Sequence, residues 1–221
     1  FMSSIAKLIK KSPIIWNIFS SDLSLKSNNY KTLIIIKICS FLSKIIPNKI
    51  ILDSTSSYFA HEQAGYNTEI LEIINNGVDT NIFSPNKVIR KNYRRKYFNN
   101  DEIVVGLIAR YHPVKGHDVF LKAAGLLNKK EDNVKYLLNG TNIEVYNNEL
   151  MRMIKNENIQ NCVHFSDSSL DITDFLCACD ILVSSSNSES FPMIICEAMA
   201  SGIPCVVTDV GDCKNIVGQT G

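Results

Sequence analysis

Residues 102–129 read EIVVGLIARYHPVKGHDVFLKAAGLLNK. The first part, 102–109, is an almost unbroken apolar run with no polar alternation, the pattern of a strand covered on both faces. Residues 110–116 are polar and contain Pro113 and Gly116, which read as a loop. From 117 to 129 the apolar residues Val119, Phe120, Ala123, Ala124 and Leu127 recur at helical spacing. Strand, short loop and amphipathic helix together make one half of a β-α-β unit. The alternation repeats along the chain, with strands expected at 13–18, 49–52, 69–74, 102–109, 134–138, 162–165, 180–185 and 203–208. The fold class is therefore α/β, with doubly wound parallel sheets covered by helices on both faces. Such sheets bind ligands at the carboxyl ends of their strands.

Composition bounds the function classes. The chain has 221 residues, of which 45% are hydrophobic, enough for a packed core. Its net charge of +1 gives no footprint for nucleic acid. The seven cysteines are odd in number, sit mostly in apolar runs and form no C-x-x-C pair, so they read as buried thiols of a reducing, cytosolic setting. Residues 32–52 (TLIIIKICSFLSKIIPNKIIL) are the longest apolar run, punctuated by Lys37, Ser40 and Lys44 and broken at Pro47. They are too short and too interrupted to span a bilayer and read as an amphipathic helix leading into a strand. No signal peptide is visible. A start at Phe1 and an end on VGQTG, with no closing helix, read as those of a fragment.

Turn chemistry at 74–86 (INNGVDTNIFSPN) marks a linker, followed by the basic stretch 87–98 (KVIRKNYRRKYF), read as a solvated linker helix, with a role against anionic lipid or phosphate as the alternative. A domain boundary is expected at 76–86, with one domain over 1–75 and a second over 87–221.

Two constellations could carry chemistry. Arg110 and Lys115 occupy the loop after the strand 102–109, where a bidentate guanidinium and a point charge suit a diphosphate; two exposed cations on an ordinary loop are the plainer reading. His112 and His117 in the same segment read as ordinary loop histidines. The second constellation is SESFPMIICEAMASGIPCVVTD, 188–209. Glu189 precedes a helix entered through Pro192 in its first turn and closed by Gly202. The amides of Met193 and Ile194 at the helix start would attract an anion or hydroxyls. Glu197 stands on a helix with no polar face, so it needs donors: a vicinal diol such as a ribose pair, or backbone amides or an arginine.

Taken together, these segments resemble the retaining GT-B glycosyltransferases of family four, within the glycogen-synthase/mannosyltransferase superfamily, especially bacterial members that build surface polysaccharides and O-antigens. NNGVDTNIFSP is similar to their interdomain motif, GLIARYHPVKGHDVFLKAA to their Arg-x4-Lys-Gly segment, and SESFPMIICEAMASGIPCVVTDVGD to their E-x7-E motif. The resemblance implies two Rossmann-like domains, an acceptor-side one only partly present (1–75) and a donor-binding one lacking its C-terminal end (87–221). It implies an enzyme, a hexosyltransferase that moves a sugar from a UDP- or GDP-sugar to a glycan or lipid-linked acceptor. It also implies a cytoplasmic location with peripheral contact at the inner membrane face, and neither metal nor other cofactor, in keeping with the lack of a D-x-D sequence.

By the same resemblance Arg110 and Lys115 bind the diphosphate, Glu197 the ribose and Glu189 the sugar or its leaving oxygen, with Glu189, Arg110 and Lys115 the catalytic set. Amides from Phe191 onward, including Met193 and Ile194, hold sugar hydroxyls and phosphate. Ser166, Asp167 and Ser168 lie against the base. There are two departures from the family pattern: Ser166 stands where relatives usually have glycine, and Phe19–Ser21 stands where relatives commonly carry an acceptor-side histidine. His61 matches a histidine often seen in relatives and reads as structural or interfacial. Alternatives are a truncated chain that binds a sugar nucleotide without transferring it, and a nucleotide-sugar epimerase of the same fold.

Overall fold

A computed structural model of the chain describes residues 12–23, 29–99, 101–166 and 171–220. It divides into two compact units. The first takes the chain up to Gly77 together with Ser188–Pro192 and Val210–Asp212; the second takes Val78–Asn187, Met193–Asp209 and the chain from Cys213.

The first unit carries a parallel sheet in the order β1 (Ile15–Ile18), β2 (Lys49–Leu52), β3 (Leu71–Ile73), with crossover helices α1 (Tyr30–Ser43) and α2 (Thr55–Gln63). Ile50, Leu52, Tyr66 and Leu71 form its core. The third strand is shorter than expected. Residues Thr68–Ile70 make a 3-10 turn, started by the Asn67 side chain accepting from the Glu69 amide at 3.2 Å.

Helix α1 does not present Lys37, Ser40 and Lys44 as one polar face. The two lysines are exposed, whereas Ser40 and Ser43 are buried. Ser40 donates to the Ala64 carbonyl at 2.8 Å, and Ser43 accepts from the Asn67 amide at 3.0 Å. These hydroxyls satisfy backbone groups of the turn after α2 that burial would otherwise leave unpaired. Ile34, Ile38 and Phe41 face outward instead.

The second unit is a five-stranded parallel sheet in the order β6-β5-β4-β7-β8. Its strands are β4 (Ile103–Ile108), β5 (Val134–Asn139), β6 (Val163–Phe165), β7 (Ile181–Ser184) and β8 (Cys205–Val207). Its helices are α3 (Lys87–Tyr97), α4 (His117–Asn128), α5 (Asn148–Asn156), α6 (Ile172–Ala178), α7 (Met193–Ala200) and α8 (Cys213–Val217). β4 is central, with Val104, Val105 and Leu107 buried, as its unbroken apolar run requires. Gly106 has no room for a side chain, because a Cβ there would overlap the Cys179 sulfur and meet the Phe175 ring.

Helix α4 forms where expected but turns a different stripe inward. His117, Phe120, Leu121, Ala124 and Gly125 are buried, while Val119 and Leu127 are exposed. Tyr136 of β5 selects this phase. Its ring packs edge-on to Phe120 at 5.9 Å, and its hydroxyl donates to the Ala124 carbonyl at 2.9 Å.

The basic helix α3 is not simply solvated. Arg90 and Arg94 both pair with Asp180, the latter at 2.7 Å, and donate to the carbonyls of Cys177, Cys179 and Ala178. Asp180 also accepts from the Val104 amide at 2.8 Å, so one carboxylate joins α3, the start of β7 and the centre of the sheet. Burial raises the pKa of this carboxyl, but the Val104 amide and the guanidiniums of Arg94 and Arg90 outweigh burial and hold it below the ordinary value. Its contribution to stability is present above the unfolded-state carboxyl pKa and is lost as pH falls through the folded one. Asp180→Ala leaves Arg94 buried without its counter-charge and is expected to lower unfolding free energy by about 3 kcal/mol, measured by urea denaturation at neutral pH. A loss under about 1 kcal/mol would show that the clamp behaves as a surface pair.

Candidate active site

In the order β6-β5-β4-β7-β8 the chain leaves β4 toward β5 and β6 on one side and toward β7 and β8 on the other. The crevice of such a sheet opens where the winding reverses, at the carboxyl ends of β4 and β7. The loop after β4 carries Arg110 and Lys115, and the segment after β7 leads to α7 and Glu197. The two constellations read from sequence thus follow the two strands of the switch point.

Backbone contacts fix the first loop. The Ala109 amide donates to the carbonyl of Asn139 at the end of β5, and the Tyr111 amide to that of Thr141 just beyond it, at 2.9 and 2.8 Å. On the β7 side, the Asn187 amide donates to the Val114 carbonyl at 2.7 Å and the Ser185 hydroxyl to the Gly116 carbonyl at 2.9 Å. Gly116 sits at φ +62°, and a Cβ there would overlap the Ser185 carbonyl. Arg110 is exposed and Lys115 half-buried.

His112 is exposed and accepts the Val114 amide at 3.2 Å, capping the short turn Pro113–Lys115. His117 is buried beside Tyr111, and burial lowers its pKa. His112 serves the loop's shape, whereas His117 is the first, buried residue of α4. In the first unit, His61 is likewise buried, with Nδ1 at 2.8 Å from the Ser57 carbonyl and its ring edge-on to Tyr66.

Helix α7 begins at Met193, so Pro192 directly precedes it rather than lying in its first turn. The first amides, Met193 and Ile194 among them, have no carbonyl one turn earlier to bond. Gly202, at φ +76°, ends the helix. Ile195 and Ala198 are buried, and Glu197 is half-buried between them. Among the described residues the Glu197 carboxylate has neither a hydrogen bond nor an ion pair, so neither the backbone-held nor the arginine-held reading is met. Burial alone pushes its pKa up.

Ser166 follows β6, its amide bonded to the Leu138 carbonyl at 3.0 Å and its hydroxyl accepting from the Asn139 side chain. Asp167 and Ser168 lie outside the described residues. Glu189 and Phe191, both half-buried, fall in the segment Ser188–Pro192 that groups with the first unit. Sequence reasoning named Ser21 only within the stretch that replaces a family histidine, and it missed Asp53, Ser54 and Asp212, which also surround this segment. The available signal was the Asp-Ser pair at 53–54, whose serine is the N-cap of α2.

The family model for glycosyl transferases group 1 matches residues 89–221. The chain belongs to that family. EpsF of Bacillus subtilis, described as a putative glycosyltransferase, is 28% identical over 152 residues, covering 68% of this chain and 39% of that protein. Mannosylfructose-phosphate synthase of Agrobacterium fabrum is 30% identical over 155 residues, 66% of this chain and 34% of that protein. Anabaena Alr3699/HepE, solved in complex with UDP-glucose, superposes with a TM-score of 0.82 at 25% identity, over 96% of this chain and 57% of that one. The fold is that of the GT-B glycosyltransferases, and the chain spans little more than half of that neighbour. No helix among the described residues is long and apolar enough to cross a membrane.

The unpartnered Glu197 carries a pH-dependent cost. A carboxyl whose pKa is raised by folding destabilises the folded state above that pKa, and the penalty fades as pH falls toward the unfolded-state value. Glu197→Gln is therefore expected to raise the melting temperature at pH 7–8 and to lose that gain as pH drops through the raised pKa. An equal effect at every pH would show that the carboxylate is not strained by burial.

Proposed function

We propose that this chain supplies the donor-binding part of a glycosyltransferase that moves a hexosyl group from a nucleoside-diphosphate sugar to a glycan or lipid-linked acceptor. The observation that carries the reading is Glu197, a partly desolvated carboxylate without a partner among the described residues, on the helix that leaves the switch point. A vicinal diol offers the two donors it lacks, so Glu197 takes the ribose hydroxyls. Arg110 and Lys115, on the loop after the neighbouring strand, bind the diphosphate. The amides of Phe191, Met193 and Ile194 receive phosphate and sugar hydroxyls, and Glu189 faces the sugar or its leaving oxygen. Ser166, with Asp167 and Ser168, lies against the base.

In the reaction, the bond between the anomeric carbon and the diphosphate oxygen breaks, a bond to the acceptor oxygen forms, and the acceptor's proton passes to the departing diphosphate. Negative charge grows on the diphosphate, where Arg110, Lys115 and the positive end of α7 stabilise it. No metal has a role in this scheme. We place the reaction in the cytoplasm, at the inner membrane face when the acceptor is lipid-linked, and assign it retention of configuration. UDP is the first donor nucleotide to test, because the HepE complex holds UDP-glucose.

Calorimetric titration with UDP, GDP and UDP-glucose tests the assignment. Glu197→Ala removes charge-assisted hydrogen bonds common to UDP and UDP-glucose and is expected to weaken both about tenfold or more. Glu189→Ala should weaken UDP-glucose and leave UDP unchanged. Equal affinities for the wild type and both variants would falsify the site. Interconversion of nucleotide sugars without any acceptor would replace transfer with epimerisation.

A further inference from the structure

Glu189 is held at its backbone by residues far from it in sequence, all within the first unit. The Ser21 hydroxyl donates to the Glu189 carbonyl at 2.6 Å. The Ser190 hydroxyl donates to Asp53 at 2.7 Å and lies 2.7 Å from the Ser54 hydroxyl. The Ser190 carbonyl accepts from the Asp212 amide at 3.0 Å. Gly211, at φ +56°, passes so close that a Cβ would overlap the Glu189 carbonyl.

Asp212 anchors the arrangement. It is 4% exposed, and its two carboxylate oxygens accept from the amides of Thr55 and Ser56, each at 2.9 Å. A carboxylate placed on the first amides of α2 answers unpaired donors and the positive end of the helix dipole at once. The segment Val210–Asp212 is thereby fixed to α2, and the segment Ser188–Pro192 is fixed to Val210–Asp212.

We infer that Asp212 is a positioning residue for Glu189, acting through the helix cap on α2 and the Ser190 carbonyl, with Ser21 and Asp53 completing the cradle. The inference rests on the proposed role of Glu189 at the donor sugar. It also gives a function to the segment Phe19–Ser21, where the family resemblance expects a histidine. In this chain that segment holds the Glu189 backbone through a serine hydroxyl.

The test is a double-variant cycle on the full chain, read by calorimetry with UDP and UDP-glucose and by melting temperature. Asp212→Asn keeps an acceptor for one α2 amide and is expected to fold, and Ser21→Ala removes only the carbonyl clamp. Each should weaken UDP-glucose about five- to tenfold while UDP stays within about twofold. In a Glu189→Ala background the same changes should cost less than about twofold more, because residues acting through one group are not additive. Equal weakening of UDP and UDP-glucose, or a full effect retained in the Glu189→Ala background, overturns the inference and leaves the role of Glu189 intact. If Glu189→Ala itself leaves UDP-glucose binding unchanged, the proposed donor role fails, and the positioning role falls with it.

Discussion

The carbonyl of Ser185 occupies the space that a side chain at residue 116 would need, and the second unit's site depends on that close approach. Only glycine takes both the left-handed turn and the contact without strain. Because the chain can come this near, the loop after β4 bonds directly to the segment after β7 through Val114, Gly116, Ser185 and Asn187. Arg110 and Lys115 are then carried on a loop braced from both neighbouring strands, next to the strand that feeds α7. A bulkier residue would push the two loops apart, even if both strands stayed in register.

Much of this was legible in the sequence, for a physical reason. A strand buried on both faces must be apolar throughout, and β4 reads that way, as do the strands around it. The order of strands and helices followed, and so did the carboxyl-end location of the motifs. What periodicity does not carry is phase and partner. Helix α4 has apolar residues on more than one stripe, and Tyr136, across the sheet, decides which is inward. Ser40 and Ser43 look like solvent positions until the turn at 64–67 needs its backbone groups satisfied. Arg90 and Arg94 look like a solvated run because the carboxylate that binds them lies about ninety residues further along the chain.

Glu197 is a different case. There the local pattern is broken and nothing among the described residues repairs it. Asp180 is also a carboxylate withdrawn from water, yet two guanidiniums and an amide hold its pKa down, whereas burial pushes that of Glu197 up. A folded protein that keeps an uncompensated carboxylate on an otherwise apolar helix is less stable for it, and such departures concentrate where a ligand supplies the missing partner. The same contrast separates a charge that builds the sheet from one that, on the proposed function, meets the donor.

The E-x7-E spacing unites Glu189 and Glu197 in sequence, but the two glutamates draw their order from different bodies. Glu197 is fixed locally, by the packing of Ile195 and Ala198 on either side of it in α7. Glu189 is fixed by Ser21, by the Asp53–Ser190 bond and by the cap that Asp212 places on α2, so its backbone inherits the rigidity of a helix more than a hundred residues away. On the proposed function, a motif of this kind specifies which groups meet a ligand. It leaves unstated what holds each of them still, and that lies in residues such as Asp212 whose role becomes visible only once the chain has folded.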